Sequence, residues 1–237
     1  MRKSKTSATS SLLIIALLPL LLNIVLTPML IVLLVSLQEF MEKPFYYTYT
    51  YGPLLWSIYH VLLALLVRHL LKDEGRSIKL ITGSTEISLN SIILIFGLIP
   101  LSFLIFQILE PMASNLIYGP GMMKQLLSEY KSVTITIIVY TIVVTSLTAG
   151  VCEELIWRGY LQTRLENRFI DRSWVAVTIQ AVLFGLWHGT SLHAVFTGLF
   201  GFIYGLIYTK TRKLLPIMIS HWLGDVLGFS YMYFIMV

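Results

Sequence analysis

Apolar runs of membrane-crossing length recur from Leu12 to the final residues of this 237-residue chain, separated by short polar loops. About 20 apolar residues in helical form span the hydrocarbon of a bilayer. With 57% hydrophobic and 12% charged residues, the chain reads as a polytopic, all-α integral membrane protein and not as a soluble domain. Hydropathy predicts seven spans, at about 12–37, 53–71, 89–109, 133–163, 173–189, 193–209 and 214–236. The first follows a basic start, yet it is too long for a signal-peptide core and lacks a small-residue cleavage site, so it counts as a span. Met122, Met123, Leu126, Leu127 and Tyr130 recur at helical spacing between the third and fourth spans. They predict a short helix lying in the interface, or an eighth, partly inserted one. The whole reads as one integral-membrane domain, with three N-terminal spans over 1–131 and a core over 132–237.

All but Lys43, Lys124 and Lys131 of the 17 Lys and Arg residues fall at the N-terminus or in the clusters Arg68 to Lys79, Arg158 to Arg172 and Lys210 to Lys213 about alternate connections. The positive-inside rule then places the N-terminus in the cytoplasm and the C-terminus outside, with a bacterial plasma membrane expected from the chain's size and compact loops. The net charge of +5 reports this orientation, and no nucleic-acid partner is implied. Cys152, the only cysteine, excludes an intramolecular disulfide and reads as a small buried residue.

Among the acids, only Glu153, Glu154 and Asp225 fall in the stretches read as embedded, where an ionisable group is costly and marks function by default. Counted at 1.5 Å per residue from the nearest basic cluster, Glu153 lies roughly 16 Å deep, His188 roughly 24 Å and His221 roughly 12 Å. Three helices would therefore bring these residues to one layer. Glu154 and Arg158, Phe184 and His188, and His221 and Asp225 are each spaced i,i+4, on a shared helix face. Arg158 would neutralise Glu154 and leave Glu153 as the working carboxylate, while Asp225 would take a proton from His221 and fix its tautomer. Gly185/Gly189, Gly201/Gly205 and Gly224/Gly228 are small-xxx-small pairs that permit close helix approach.

Glu153-Glu154-Leu-Ile-Trp-Arg158, Phe184-Gly-Leu-Trp-His188 and His221-Trp-Leu-Gly-Asp225 resemble, in order, the E-E-x-x-x-R, F-x-x-x-H and H-x-x-x-N motifs of the CAAX-protease and bacteriocin-processing (CPBP, or Abi) family. The chain is thus similar to the Rce-type CAAX prenyl endopeptidases over about residues 133–230. The resemblance implies an intramembrane protease with Glu153, Glu154, His188, His221 and Asp225 as site residues, and a membrane-associated or prenylated peptide or protein as substrate. Glu153 would deprotonate a water, His188 would hold it or polarise the scissile carbonyl, and His221 would stabilise the oxyanion. Arg158, Phe184, Trp157, Trp187 and Trp222 would support them. Two centres compete: a metal-free glutamate-activated water, which is favoured with no cofactor, and a zinc ion held by His188, His221 and Glu153 or Asp225, as in a metalloprotease. Asp225 departs from the family's Asn. An ionised Asp cannot donate to an oxyanion, which leaves it protonated, orienting His221, or ligating a metal.

Blander readings stand beside these. Glu154 with Arg158 in isolation reads as a structural ion pair, the three tryptophans as packing, and His60, His69 and His193 as helix-to-helix hydrogen bonders. Outside the enzyme class, the intramembrane acids and histidines would suit a small proton- or cation-coupled transporter, and the family also implies a non-catalytic bacteriocin immunity or scaffold role. For the protease, entry is expected from the cytoplasmic side or laterally from the lipid.

Overall fold

The computed structural model describes residues 5–83 and 86–236, so Arg2 and Lys3, part of the orientation reading, lie outside the described residues. Every regular element among the described residues is helical. In chain order these are α1 (Thr9–Val35), α2 (Pro44–Asp73), α3 (Leu89–Tyr118), α4 (Pro120–Tyr130), α5 (Ile135–Arg168), α6 (Ser173–Trp187), α7 (Leu192–Thr211) and α8 (Leu214–Tyr231), with short helical connectors at Leu37–Glu42 and Ile78–Thr82. Large apolar side chains such as Leu33, Leu65, Phe96, Val139 and Val195 point outward. Apolar surface this extensive marks a protein whose solvent is lipid.

Among the described residues five helices, α1, α2, α3, α5 and α7, are long and apolar enough to cross a membrane, against the seven expected. The other two expected spans correspond to α6 and α8. α6 has 15 residues, about 22 Å at helical rise, short of a hydrocarbon core of about 30 Å. α8 has 18 residues and carries His221 and Asp225, which dilute its hydropathy. The predicted interfacial segment forms α4. Span ends also move: α3 runs past residue 109 to Tyr118 and α5 past 163 to Arg168. Glu110 and Glu166 therefore join the acids inside long apolar helices, a set expected to hold only Glu153, Glu154 and Asp225.

Several helices widen locally to π-helical turns. Those at Leu21–Leu26 and Leu104–Leu109 precede Pro28 and Pro111 closely. A proline lacks an N–H and clashes with the carbonyl four residues back, so the preceding turn opens. α5 widens without a proline at Ala149–Glu153 and Leu155–Gln162, the stretch that carries the paired glutamates. Such turns occur often at functional sites. Hydroxyls fill the widened ladder five residues back: Ser146 Oγ donates to Thr141 O at 3.1 Å and Thr163 Oγ1 to Arg158 O at 3.3 Å.

The bundle has two chemically different ends. At one, Arg164 pairs with Glu74 and Arg212 with Glu166, Tyr208 donates to Ile81 O, and Lys213 reaches Ser88. At the other, Tyr130 packs between Tyr49 and Tyr233, and the Glu129 carboxylate accepts from Tyr46 N at 3.0 Å.

Glycines set the closest helix crossings. A Cβ on Gly185 would lie 2.5 Å from Ala194 O, and one on Gly150 would lie 2.5 Å from Trp222 N, so α6 meets α7 and α5 meets α8 backbone to backbone. Gly201, Gly205, Gly224 and Gly228 also face neighbouring helices, but Gly189 does not. Its φ of +111° makes it the turn residue that ends α6. Two surface clefts of about 460 and 490 Å3, one lined by Asn115, Met123 and Lys131 and the other by Glu166, Asn167 and Arg212, reach none of the motif residues.

Candidate active site

The paired glutamates diverge to different partners. Glu154 and Arg158 are fully buried, with Arg158 Nη1 3.0 Å from Glu154 Oε1. The same oxygen accepts from His221 Nδ1 at 2.8 Å. Glu153 is also buried, and its Oε1 lies 2.8 Å from His60 Nε2, on α2, while its Oε2 lies 4.0 Å from His221 Nε2. His60 is braced by Thr148, whose Oγ1 lies 3.2 Å from Nδ1. His221 therefore bridges the pair, bonded to one carboxylate and facing the other.

Arg158 owes its place to more than an ion pair. Its guanidinium carbon lies 4.4 Å from the Phe184 ring centroid and 5.8 Å from those of Phe200 and Tyr204. The contact to Glu154 is an ion pair whose angle is not that of a hydrogen bond. Desolvating a guanidinium is costly, and ring faces offset part of that where hydrogen-bond acceptors are few. Phe184 thus joins the first motif to the second, with Trp157 meeting it edge-on at 5.7 Å.

His188 lies just beyond α6, where Nδ1 makes a 2.9 Å contact to Phe184 O. A carbonyl only accepts, so Nδ1 carries a proton, and in the neutral ring Nε2 is an acceptor. The ring is near enough to Glu153 and His221 for electrostatic interaction. The end of α6 is held from α1: Asn23 Nδ2 donates to Trp187 O, and Asn23 Oδ1 accepts from Trp56 Nε1 at 2.8 Å.

Asp225 departs from its expected part. Its Oδ2 lies 3.6 Å from His221 Nε2, too long for a hydrogen bond. Glu154 holds the other ring nitrogen, so the tautomer of His221 is set by a residue 67 positions away. Nor is Glu153 free, as His60 engages it. The set suggested for zinc does not fit an ion as it stands. Among the described residues no three His, Cys, Asp or Glu side chains converge as ligands.

Residues 134–227 match the family model described as Type II CAAX prenyl endopeptidase Rce1-like. Over that segment the chain is similar to the CAAX-protease family. No curated protein and no solved structure matches the chain. The matched stretch begins one residue before α5 and ends inside α8, and it contains all three motifs found in the sequence.

The matched segment does not contain every residue that touches the site. His60, Asn23 and Trp56 come from α1 and α2, and Glu110, on α3, pairs with His193 at 3.0 Å. His60 and His193 were expected to be plain hydrogen bonders between helices. His60 does bridge two helices, but its partner is the buried glutamate of the first motif. His69 is exposed and sits 3.4 Å from Asp73 of its own helix. The Trp222 backbone lies against Gly150, and the Trp187 ring packs 6.0 Å from the His60 ring. Cys152 is partly buried against the core.

Proposed function

We propose that the chain is an intramembrane endopeptidase of the CAAX-protease type, which hydrolyses peptide bonds of membrane-associated or lipidated peptides with a water activated by Glu153. The observation that carries this reading is the asymmetry of the paired glutamates. Glu154 is neutralised by Arg158 and His221, while Glu153 keeps Oε2 turned toward a histidine 4.0 Å away. That separation is too long for a direct hydrogen bond and short enough for one water to bridge carboxylate and imidazole from the side.

Each group then has a task its geometry permits. Glu153 takes the proton of the attacking water, and His60 holds the carboxylate in place. Neutral His188, with its proton on Nδ1, accepts a hydrogen bond from that water at Nε2. His221, with Nδ1–H on Glu154, donates from Nε2 to the oxyanion when protonated, and Glu154 and Asp225 balance its charge. The proton gained by Glu153 passes to the departing amine. No step is routed through a metal. Orientation follows the basic loops, with the ion-paired end in the cytoplasm, and we assign the protein to a bacterial plasma membrane.

The test compares membrane and secreted peptide termini from cells carrying the wild-type chain or Glu153→Gln at matched levels. Loss of a defined set of termini in the variant is expected; identical termini would overturn the reading.

A further inference from the structure

The polar side chains about the site differ widely in exposure. Arg158 and Glu154 are 0% exposed, Glu153 4% and His221 7%, whereas Glu110 is 19%, Asp225 26% and His193 45% exposed. Depth sets the Glu110–His193 pair apart from the rest. Counting about 1.5 Å per residue from the terminus of each helix at the ion-paired end, Arg158 and His221 lie roughly 10–15 Å in, Asp225 roughly 17 Å, Glu153, Glu154 and His188 roughly 21–23 Å, His193 roughly 27 Å and Glu110 roughly 32 Å. The ion-paired end itself is sealed, since Trp157, Tyr160, Leu161 and Leu214 are at most 1% exposed.

The Glu110–His193 pair thus stands at the far boundary of a hydrocarbon layer about 30 Å thick. A half-exposed acid–histidine pair is costly against lipid and favourable against water. From it the polar groups continue inward. The His193 ring centroid is 5.7 Å from that of His188, which borders the layer of Glu153, His221 and Asp225. Because α6 ends about 22 Å from the sealed end, its loop at Gly189–Ser191 opens toward the same far face.

We propose that water and substrate reach Glu153 from the membrane face opposite the ion-paired end, past the Glu110–His193 bridge between α3 and α7. The proposal rests on the proteolytic reading above for the word substrate, and it reverses the cytoplasmic entry expected from the sequence. With the basic loops in the cytoplasm, the entrance faces outward. The substrate class is then a peptide segment presented at the outer face of the membrane, rather than a lipid-modified tail in the cytosol.

Single-cysteine reporters test the route in the full-length chain, in a Cys152→Ala background, in sealed vesicles of both orientations. Asn167→Cys marks the ion-paired end, Ser191→Cys the far loop, and Asp225→Cys or His188→Cys the interior. A small, charged, impermeant methanethiosulfonate is added to one side. The interior reporters are expected to react only from the side that modifies Ser191→Cys, and faster when Glu110→Ala removes the bridge. Reaction from the Asn167→Cys side, or from neither side while both surface reporters react, overturns the route. So does a rate indifferent to Glu110→Ala. Modification needs no proteolysis, so a failed route leaves Glu153-dependent cleavage standing. Labelling as expected with termini that ignore Glu153→Gln keeps the route but overturns the substrate assignment.

Discussion

The C-terminal core and the N-terminal spans build the site in different ways. In the core, the reacting groups come as pairs one helical turn apart, such as Glu154 with Arg158 and His221 with Asp225. The N-terminal spans add single side chains that meet the core across the bundle: His60 on Glu153, Asn23 on the carbonyl that ends α6, Glu110 on His193. The family match covers the first kind and none of the second. A local helical pair keeps its spacing wherever the helix goes. A cross-bundle partner has no spacing to keep, and here such partners are 83 to 164 residues apart.

Substitutions can break or sharpen that contrast. The largest effect is expected from Glu153→Gln in the core, with cleavage lowered by about 10²- to 10⁴-fold, in line with loss of a general base. Its thermal midpoint should stay near wild type, and residual cleavage near wild type would remove Glu153 from the chemistry. Arg158→Ala should act on the fold instead. It leaves Glu154 buried without its cation, a change that typically costs about 3–5 kcal/mol, and the check is unfolding in detergent.

Across the bundle, His60→Ala removes a hydrogen bond to a charged group, about 1.5–3 kcal/mol. Cleavage should fall by about 10- to 100-fold, between the two extremes of no effect and Glu153→Gln. A loss as deep as that of Glu153→Gln would place α2 inside the catalytic unit. Gly150→Ala forces a Cβ against the Trp222 backbone and should destabilise by about 1–3 kcal/mol as overpacking, read as a lowered midpoint. The smallest effect is expected from Asn23→Ala, about 1 kcal/mol for the lost bonds to Trp187 and Trp56. It should appear as slower cleavage and not as unfolding, and its sign in a double mutant with His60→Ala measures how far α1 and α2 act together.

Parts of this arrangement were legible without coordinates. The all-helical membrane class follows from run length and composition, and the short helix at Pro120–Tyr130 from its apolar spacing. The Glu154–Arg158 contact follows from i,i+4 geometry. The span count was not legible in full, because a hydropathy window does not register that α6 stops after 15 residues, with Gly189 turning the chain. The end of α3 was misplaced because the apolar run stops at Glu110 while the helix itself continues to Tyr118.

Sequence alone determined which residue types share a helix face, because covalent spacing and helical rise are local properties of the chain. It therefore set the class of the protein, the three motifs and the approximate depth of each ionisable group. Only the tertiary structure decided their partners: His60 rather than solvent for Glu153, Glu154 rather than Asp225 for His221 Nδ1, and aromatic rings for much of the Arg158 surface. Those choices depend on the rotation and crossing of whole helices, which are set at glycine contacts such as Gly150 on Trp222 and Gly185 on Ala194. In a lipid solvent close packing largely governs helix association, so the identity of each buried charge's partner is a property of the bundle.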